Sequence, residues 1–342
     1  MEQLVLYYPM GHQAHAESGH PENPERVEII KTALSQAGYW DDEHAISPIL
    51  PPAEVLSSVH TEMYLKYLEA ACKRGEPLDS DTYTTPASWN IAINTAGGAI
   101  AVADKVWKGE ARYGFALTRP PGHHATSNQG MGFCLLNNVA IAAQYLVMKR
   151  GAERLAIVDL DLHHGNGTQE IFWSRGDVFY FSTHQYPYYP GSGDLSETGA
   201  GDGAGKTANF PLPPGSGEQA FTTIMQEIII PLIDGYRPQM ILVSCGFDSH
   251  WKDPLGYLLL SAKGYGELIE SMVDWADKHC AGKLALFLEG GYDPDALTAC
   301  SEAVVTPLIK SRPFVDRLGP SPKPEGKSWR MVFDKAKQIW SL

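Results

Sequence analysis

Short apolar and β-branched runs, bounded by polar or Gly/Pro turns, alternate along the chain with longer amphipathic stretches. The runs Leu4–Tyr8, Tyr113–Thr118, Leu155–Leu160, Val178–Thr183, Met240–Cys245 and Leu284–Glu289 predict strands. Between them the spacing predicts helices near Pro24–Gly38, Glu62–Arg74, Ser88–Lys108, Asn138–Lys149, Glu218–Tyr236, Lys263–His279 and Asp293–Ile309. Such alternation points to an α/β fold whose mainly parallel sheet is covered by helices on both faces. LAIVDL and MILVSC are nearly apolar throughout, as strands buried on both sides are. Two segments depart from the pattern. Pro190–Gly217 carries eight glycines and reads as a long loop within one domain, because βα units continue on both sides of it. Ser311–Lys327, proline-rich and basic, reads as a surface crossing to a last helix near Trp329–Ile339.

Charge narrows the class of partner. The net charge is −13, which argues against sequence-independent binding to nucleic-acid phosphates. The imbalance is local: Lys310–Leu342 holds eight Lys/Arg against three Asp/Glu, a net +5, leaving −18 on the first 309 residues. Five scattered cysteines in mostly apolar runs read as reduced thiols, so a cytoplasmic protein is expected. MEQLVLYYPM lacks the basic start of a signal peptide, and no apolar run approaches the ~18 residues of a membrane span.

The strongest chemistry sits in DLDLHHGNGTQ, at the end of a predicted strand. Alternation along extended backbone sends Asp159, Asp161 and His163 to one side, and an Asp-x-His pair can grip one cation. Asp248, after MILVSC, could supply a third ligand, although a lone Asp there also serves as a helix cap. RPPGHHA sets His123 and His124 side by side, with Asp159 and Asn166 as candidate orienting partners. LEGGYD ends near Tyr292, whose phenol could donate to a developing oxyanion. All four motifs fall at carboxyl ends of predicted strands, the edge where open α/β sheets build their sites.

Together RPPGHHA, GFC-LLNN, D-x-D-x-HHGNGTQ, GFDS-x-x-DPLG, LEGGYD and GHPENPERV resemble the zinc-dependent histone deacetylase superfamily, from about His20 to Tyr292. That superfamily includes acetylpolyamine amidohydrolases and bacterial histone-deacetylase-like amidohydrolases, and HGNGTQ and DPLG look closer to its class II branch than to class I. The resemblance implies one arginase/deacetylase-type α/β domain over residues 1–342, with a core near 4–310 and a central eight-stranded, mostly parallel sheet. It implies zinc on Asp161, His163 and Asp248, with Fe(II) an alternative for the same donors. His124 would be the general base, oriented by Asn166 where class I members carry Asp. His123, paired with Asp159, would be the electrostatic partner or proton donor, and Tyr292 would polarise the amide carbonyl. Potassium is implied at Asp159, Asp161, His163, Ser182 and Thr183, and at a second site near Phe172, Arg175 and Val178.

The resemblance further implies an acyl-lysine channel walled by Gly132 and Phe133, with Tyr189 where the family usually carries Phe. Arg26 matches a buried arginine behind the site. Leu255 occupies a rim position where a polyamine-selective member carries Glu. The expected substrates are therefore acylated lysines in peptides or proteins, with acylated small amines as the alternative. A binuclear manganese hydrolase and an inactive acyl-lysine binding module are weaker readings, and homo-oligomerisation stays open. Glu17, Asp81, Asp194 and Asp253 are candidates for an acidic mouth. His12, His15 and His20 read as flexible loop histidines rather than a second metal site.

Overall fold

The computed structural model describes residues 2–41, 45–310 and 313–342, so Ser311 and Arg312 of the expected crossing lie outside the described residues. In chain order the elements are β1 (Glu2–Tyr7), α1 (Glu25–Gln36), α2 (Ala53–Val59), α3 (Glu62–Arg74), α4 (Ser88–Trp107), β2 (Ala111–Ala116) and α5 (Asn138–Arg150). There follow β3 (Leu155–Asp159), α6 (Asn166–Phe172), β4 (Val178–Gln185), β5 (Thr207–Leu212), α7 (Glu218–Ile224) and α8 (Ile230–Tyr236). β6 (Met240–Cys245), α9 (Ala262–His279), β7 (Leu284–Leu288), α10 (Pro294–Ile309) and α11 (Trp329–Trp340) complete the chain. A π-helical turn at Met225–Ile229 joins α7 to α8. Pro231, near the start of α8, has no N–H to give to the preceding turn, and the wider turn accommodates it.

Among the described residues the strands form one all-parallel sheet in the order β1-β2-β7-β6-β3-β4-β5. The side chains obey the period of two. Leu6, Val158, Val243 and Leu286 enter one core with α1, α9 and α10, while Val5, Ile157, Leu242 and Phe287 enter the other with α3, α4 and α5. Both faces of the central strands are therefore dry, which is why those strands read as continuous apolar runs. Among the described residues no helix is long and apolar enough to cross a membrane.

Two expectations need correction. The sheet has seven strands among the described residues, not eight. Beyond β1 the described residues make a single parallel bridge, between Leu6 and Ala45, and Pro48, Pro51 and Pro52 follow, which cannot donate to a ladder. The Pro190–Gly217 segment is not all loop either, because it contains β5. β5 is an edge strand, the place where Pro211 is tolerated in a sheet.

Candidate metal and acid–base site

The carboxyl ends of the neighbouring strands β2, β7, β6, β3 and β4 deliver the candidate residues to one cavity of about 250 Å³. Its lining includes His123, His124, Gly132, Phe133, Asp161, His163, Tyr189, Leu255 and Tyr292. Each lies on the loop just after its strand or on the turn packed against it, as the strand-end motifs imply.

Asp161, His163 and Asp248 bring one ligand atom each within 4.8 Å of one another. His163 Nδ1 stands 3.2 Å from Asp161 Oδ1 and 3.2 Å from Asp248 Oδ2. The far oxygens are held by the main chain: Gly290 N donates to Asp161 Oδ2 at 2.8 Å and Leu162 N to Asp248 Oδ1 at 2.8 Å. Both carboxylates are buried, and among the described residues neither pairs with Lys or Arg. Burial opposes a proton on His163, yet the two carboxylates outweigh it and raise its pKa to about 9. A buried pair of carboxylates that calls for positive charge, with an imidazole nitrogen between them, fits a divalent cation of zinc's preferences. Gly290 must lack a side chain, because a Cβ there would press into both carboxylates.

The two adjacent histidines differ in environment. His123 Nδ1 donates to Asp159 Oδ2 at 3.0 Å, and the same oxygen accepts from Tyr180 Oη at 3.0 Å. Burial disfavours charge on His123, but Asp159, Asp161 and Glu289 outweigh it and push its pKa well above 6.5. His124 Nδ1 meets the neutral Asn166 Oδ1 at 2.8 Å. Burial, then the positive charge of His123 and His163, depress the His124 pKa well below 6.5. One ring is thus built to stay charged and the other neutral.

Tyr292 leaves β7 through Gly290 and Gly291, and its N–H donates to Asp253 Oδ2 at 2.6 Å. Arg26 lies 4.8 Å from the centre of the Tyr292 ring and donates to the carbonyls of Gly291 (2.6 Å) and Glu289 (2.5 Å). Phe133 adopts φ 69°, a left-handed conformation unusual for a side chain that is not glycine, and its N–H is held by Thr82 Oγ1 at 3.1 Å. That turn sets the Phe133 ring edge-on to Tyr292, with 6.0 Å between centroids. Tyr189 stands edge-on to His124 at 5.1 Å.

Of the residues expected to hold potassium, Ser182 pairs in register with Asp159, and Thr183 Oγ1 donates to the Asp159 carbonyl at 3.4 Å. The Phe172 carbonyl accepts from Arg175 N at 3.0 Å, and Val178 opens β4 close by.

The surface readings of His12, His15 and Asp253 are overturned. His12 and His15 are buried rather than flexible: His15 Nδ1 meets Ser88 Oγ at 2.6 Å, and Arg119 donates to both histidine carbonyls. Asp253 is buried, accepts from Leu255 N and Tyr292 N, and is pushed by burial to about 7. It holds the Tyr292 loop and adds no surface charge to the mouth. Asp194 caps its own turn through Ser196. Asp81 does line the cavity, and Glu17 joins Asp79 and Asp81 around an adjoining one.

Sequence reasoning passed over Glu289, Tyr180, Tyr188 and the buried Glu22–Arg119 pair. Glu289 ends an apolar strand just as Asp159 does, and that shared position was the available signal. Tyr188 stacks on His163 with 5.7 Å between centroids. Glu22 accepts from Arg119 Nε at 2.8 Å and Arg26 Nη1 at 3.1 Å, contacts that join distant loops and leave no periodic trace.

The histone deacetylase domain family matches residues 20–308. The chain belongs to the histone deacetylase family. It is 44% identical over 275 residues to a probable deacetylase of Archaeoglobus fulgidus, covering 80% of this chain and 76% of that one. It is 38% identical over 317 residues to the histone deacetylase-like amidohydrolase of Pseudomonas aeruginosa, covering 91% and 83%. The crystal structure of the HDA15 HD domain superposes with a TM-score of 0.88 at 31% identity, over 100% of this chain and 97% of that one. Family membership accounts for the single α/β domain and for the arrangement of these motifs around one cavity.

Proposed function

We propose that the protein is a zinc-dependent amidohydrolase that removes acetyl or related acyl groups from N6-acyl-lysine in peptides or proteins. The observation that carries this reading is the convergence of Asp161, His163 and Asp248 beside two histidines of opposite charge preference. Relatives named as a probable deacetylase and a histone deacetylase-like amidohydrolase support it.

Asp161, His163 and Asp248 would hold the metal, which when bound supplies Lewis acidity toward the amide carbonyl and an acidified water. The neutral His124 takes a proton from the attacking water at Nε2, because Asn166 already accepts at Nδ1. His123, kept charged by Asp159, stabilises negative charge nearby and supplies the proton that the leaving amine needs. The Tyr292 hydroxyl donates to the carbonyl oxygen as charge develops there. Phe133 and Tyr189 line the passage for the acyl-lysine stem and keep bulk water from it. Asp159, Asp161, His163, Ser182 and Thr183 would hold one structural potassium, and the segment at Phe172, Arg175 and Val178 a second, as part of the same proposal. Unpaired cysteines accord with a cytoplasmic protein.

Leu255 at the rim offers no carboxylate to a second ammonium, which favours peptide over polyamine substrates. Acylated small amines are the second reading, favoured by the Asp81 carboxylate in the same lining. Acetate release from acetyl-lysine peptides and from acetylspermidine, compared in one assay, separates the two. In that assay His124→Ala and Tyr292→Phe are each expected to lower kcat at least ~100-fold in folded, zinc-loaded protein. Near-wild-type turnover in either variant overturns the mechanism.

A further inference from the structure

Glu289 is fully buried one residue beyond β7, and beyond its charge near His123 the proposed chemistry gives it no task. Its Oε2 accepts from two successive main-chain groups, Gly122 N at 2.6 Å and His123 N at 3.2 Å. Its Oε1 accepts from Ser244 Oγ at 3.2 Å, on β6. Pro120 and Pro121 before Gly122 carry no N–H, so these two donors are the first after the proline pair.

The neighbouring main chain reaches the other half of the site. Gly290 N donates to Asp161 Oδ2 at 2.8 Å, and the Gly290 carbonyl accepts from Phe247 N at 3.0 Å, next to Asp248. Arg26 then ties down the Glu289 and Gly291 carbonyls. One segment therefore touches the histidine loop through a side chain and the ligand carboxylates through its backbone. His123, Cys134 and Glu289 also bring one ligand atom each within 4.8 Å of one another. Each of these groups has a protein partner: Asp159 for His123, Gly132 O for Cys134 at 3.4 Å, and two N–H groups for Glu289. That satisfied set reads as a brace rather than as a second ion site.

Resting on the deacylase reading above, we infer that Glu289 is a positioning residue. Its carboxylate fixes the main chain of the His123–His124 pair at a set distance from the Asp161–His163–Asp248 cluster. Asp159 then orients the His123 ring, so that residue is held at backbone and side chain independently. A shift of about 1 Å between a base and its reacting atoms costs on the order of 100-fold in rate. Substrate binding in the Phe133–Tyr189 passage and retention of the metal do not depend on that distance in the same way.

The test compares zinc-loaded wild type, Glu289→Gln and Glu289→Ala on an acetyl-lysine peptide, with kcat, KM, zinc per chain and Tm measured on each sample. Gln keeps an acceptor for the two N–H groups without the charge, so kcat should fall about tenfold. Ala removes the acceptor, and kcat should fall about 100-fold. KM should stay within about threefold and zinc at one per chain in both variants. Partial rescue by Gln at unchanged KM is a pattern that a merely structural role would not give. The inference is overturned if both variants turn over like wild type, or if the loss of kcat tracks loss of zinc. Should Ala fail to fold, Gln alone decides, through its kcat at full zinc occupancy. A wild type that binds zinc yet releases no acetate overturns the deacylase reading itself, a different failure from an active wild type with unaffected variants.

Discussion

His123 and His124 are neighbours in sequence, yet a carboxylate faces one ring and an amide the other. That difference makes a pH profile. The neutral form of His124 is present above its depressed pKa and is lost as pH falls, so the acid limb of kcat/KM should lie well below 6.5. The charged form of His123 is present below its raised pKa and is lost as pH rises, so the alkaline limb should lie well above 6.5. Asp159 is the largest contribution raising His123, and Asp159→Asn is expected to move the alkaline limb to lower pH. Asn166→Asp places negative charge beside His124 and is expected to move the acid limb to higher pH. Limbs that stay in place in both variants would contradict these roles. At this scale the residues that bear ligands or bases were legible, because their types and strand-end spacing are chemical statements. Their supports were not. Tyr180, Glu289 and Glu22 act through contacts between segments far apart in sequence, and no local pattern encodes such contacts.

The elements divide along similar lines. The long amphipathic helices and the six apolar strands could be read because period and hydrophobicity agree over many residues. α2 and α6, each seven residues long, and β5 could not. β5 carries Asn209 and Pro211 beyond a glycine-rich segment, so it has no apolar run, and only pairing with β4 makes it a strand. Its edge is protected by α11, whose Trp329 is buried against the same core. The crossing before α11 is strapped down by its acidic residues: Glu325 accepts from Gln219 N and Ala220 N at the start of α7, and Asp316 from Lys263 N at the start of α9. The positive tail therefore turns two of its three carboxylates, Asp316 and Glu325, onto helix ends and, among the described residues, shows most of its bases to solvent. Trp329→Ala is expected to lower unfolding free energy by roughly 3 kcal/mol in a urea titration. A change below about 1 kcal/mol would mean that α11 does not stabilise this edge.

At the scale of the whole molecule, the net charge of −13 and the carboxylates of Asp79, Asp81 and Glu17 beside the cavity are expected to attract cationic substrates. Exposed charges are screened over about 10 Å at 0.1 M salt, so kcat/KM for lysine-rich acetyl peptides should fall as ionic strength rises. An uncharged acetyl-lysine substrate should respond little, and equal responses would contradict steering by this surface. The fold, by contrast, rests mainly on apolar burial. It follows from strands dry on both faces, and it brings loops from five neighbouring strand ends around one cavity.

On the proposed function, acyl-lysine hydrolysis depends on one metal held by Asp161, His163 and Asp248. It is tested most directly by stripping the protein with a chelator, titrating zinc back, and following metal content and acetate release from an acetyl-lysine peptide on the same sample. The expected result is negligible turnover without metal and a rise that saturates at one zinc per chain, absent in Asp248→Ala. Metal-free protein as active as the zinc-loaded form, or zinc-loaded protein that binds the peptide and releases no acetate, would contradict it.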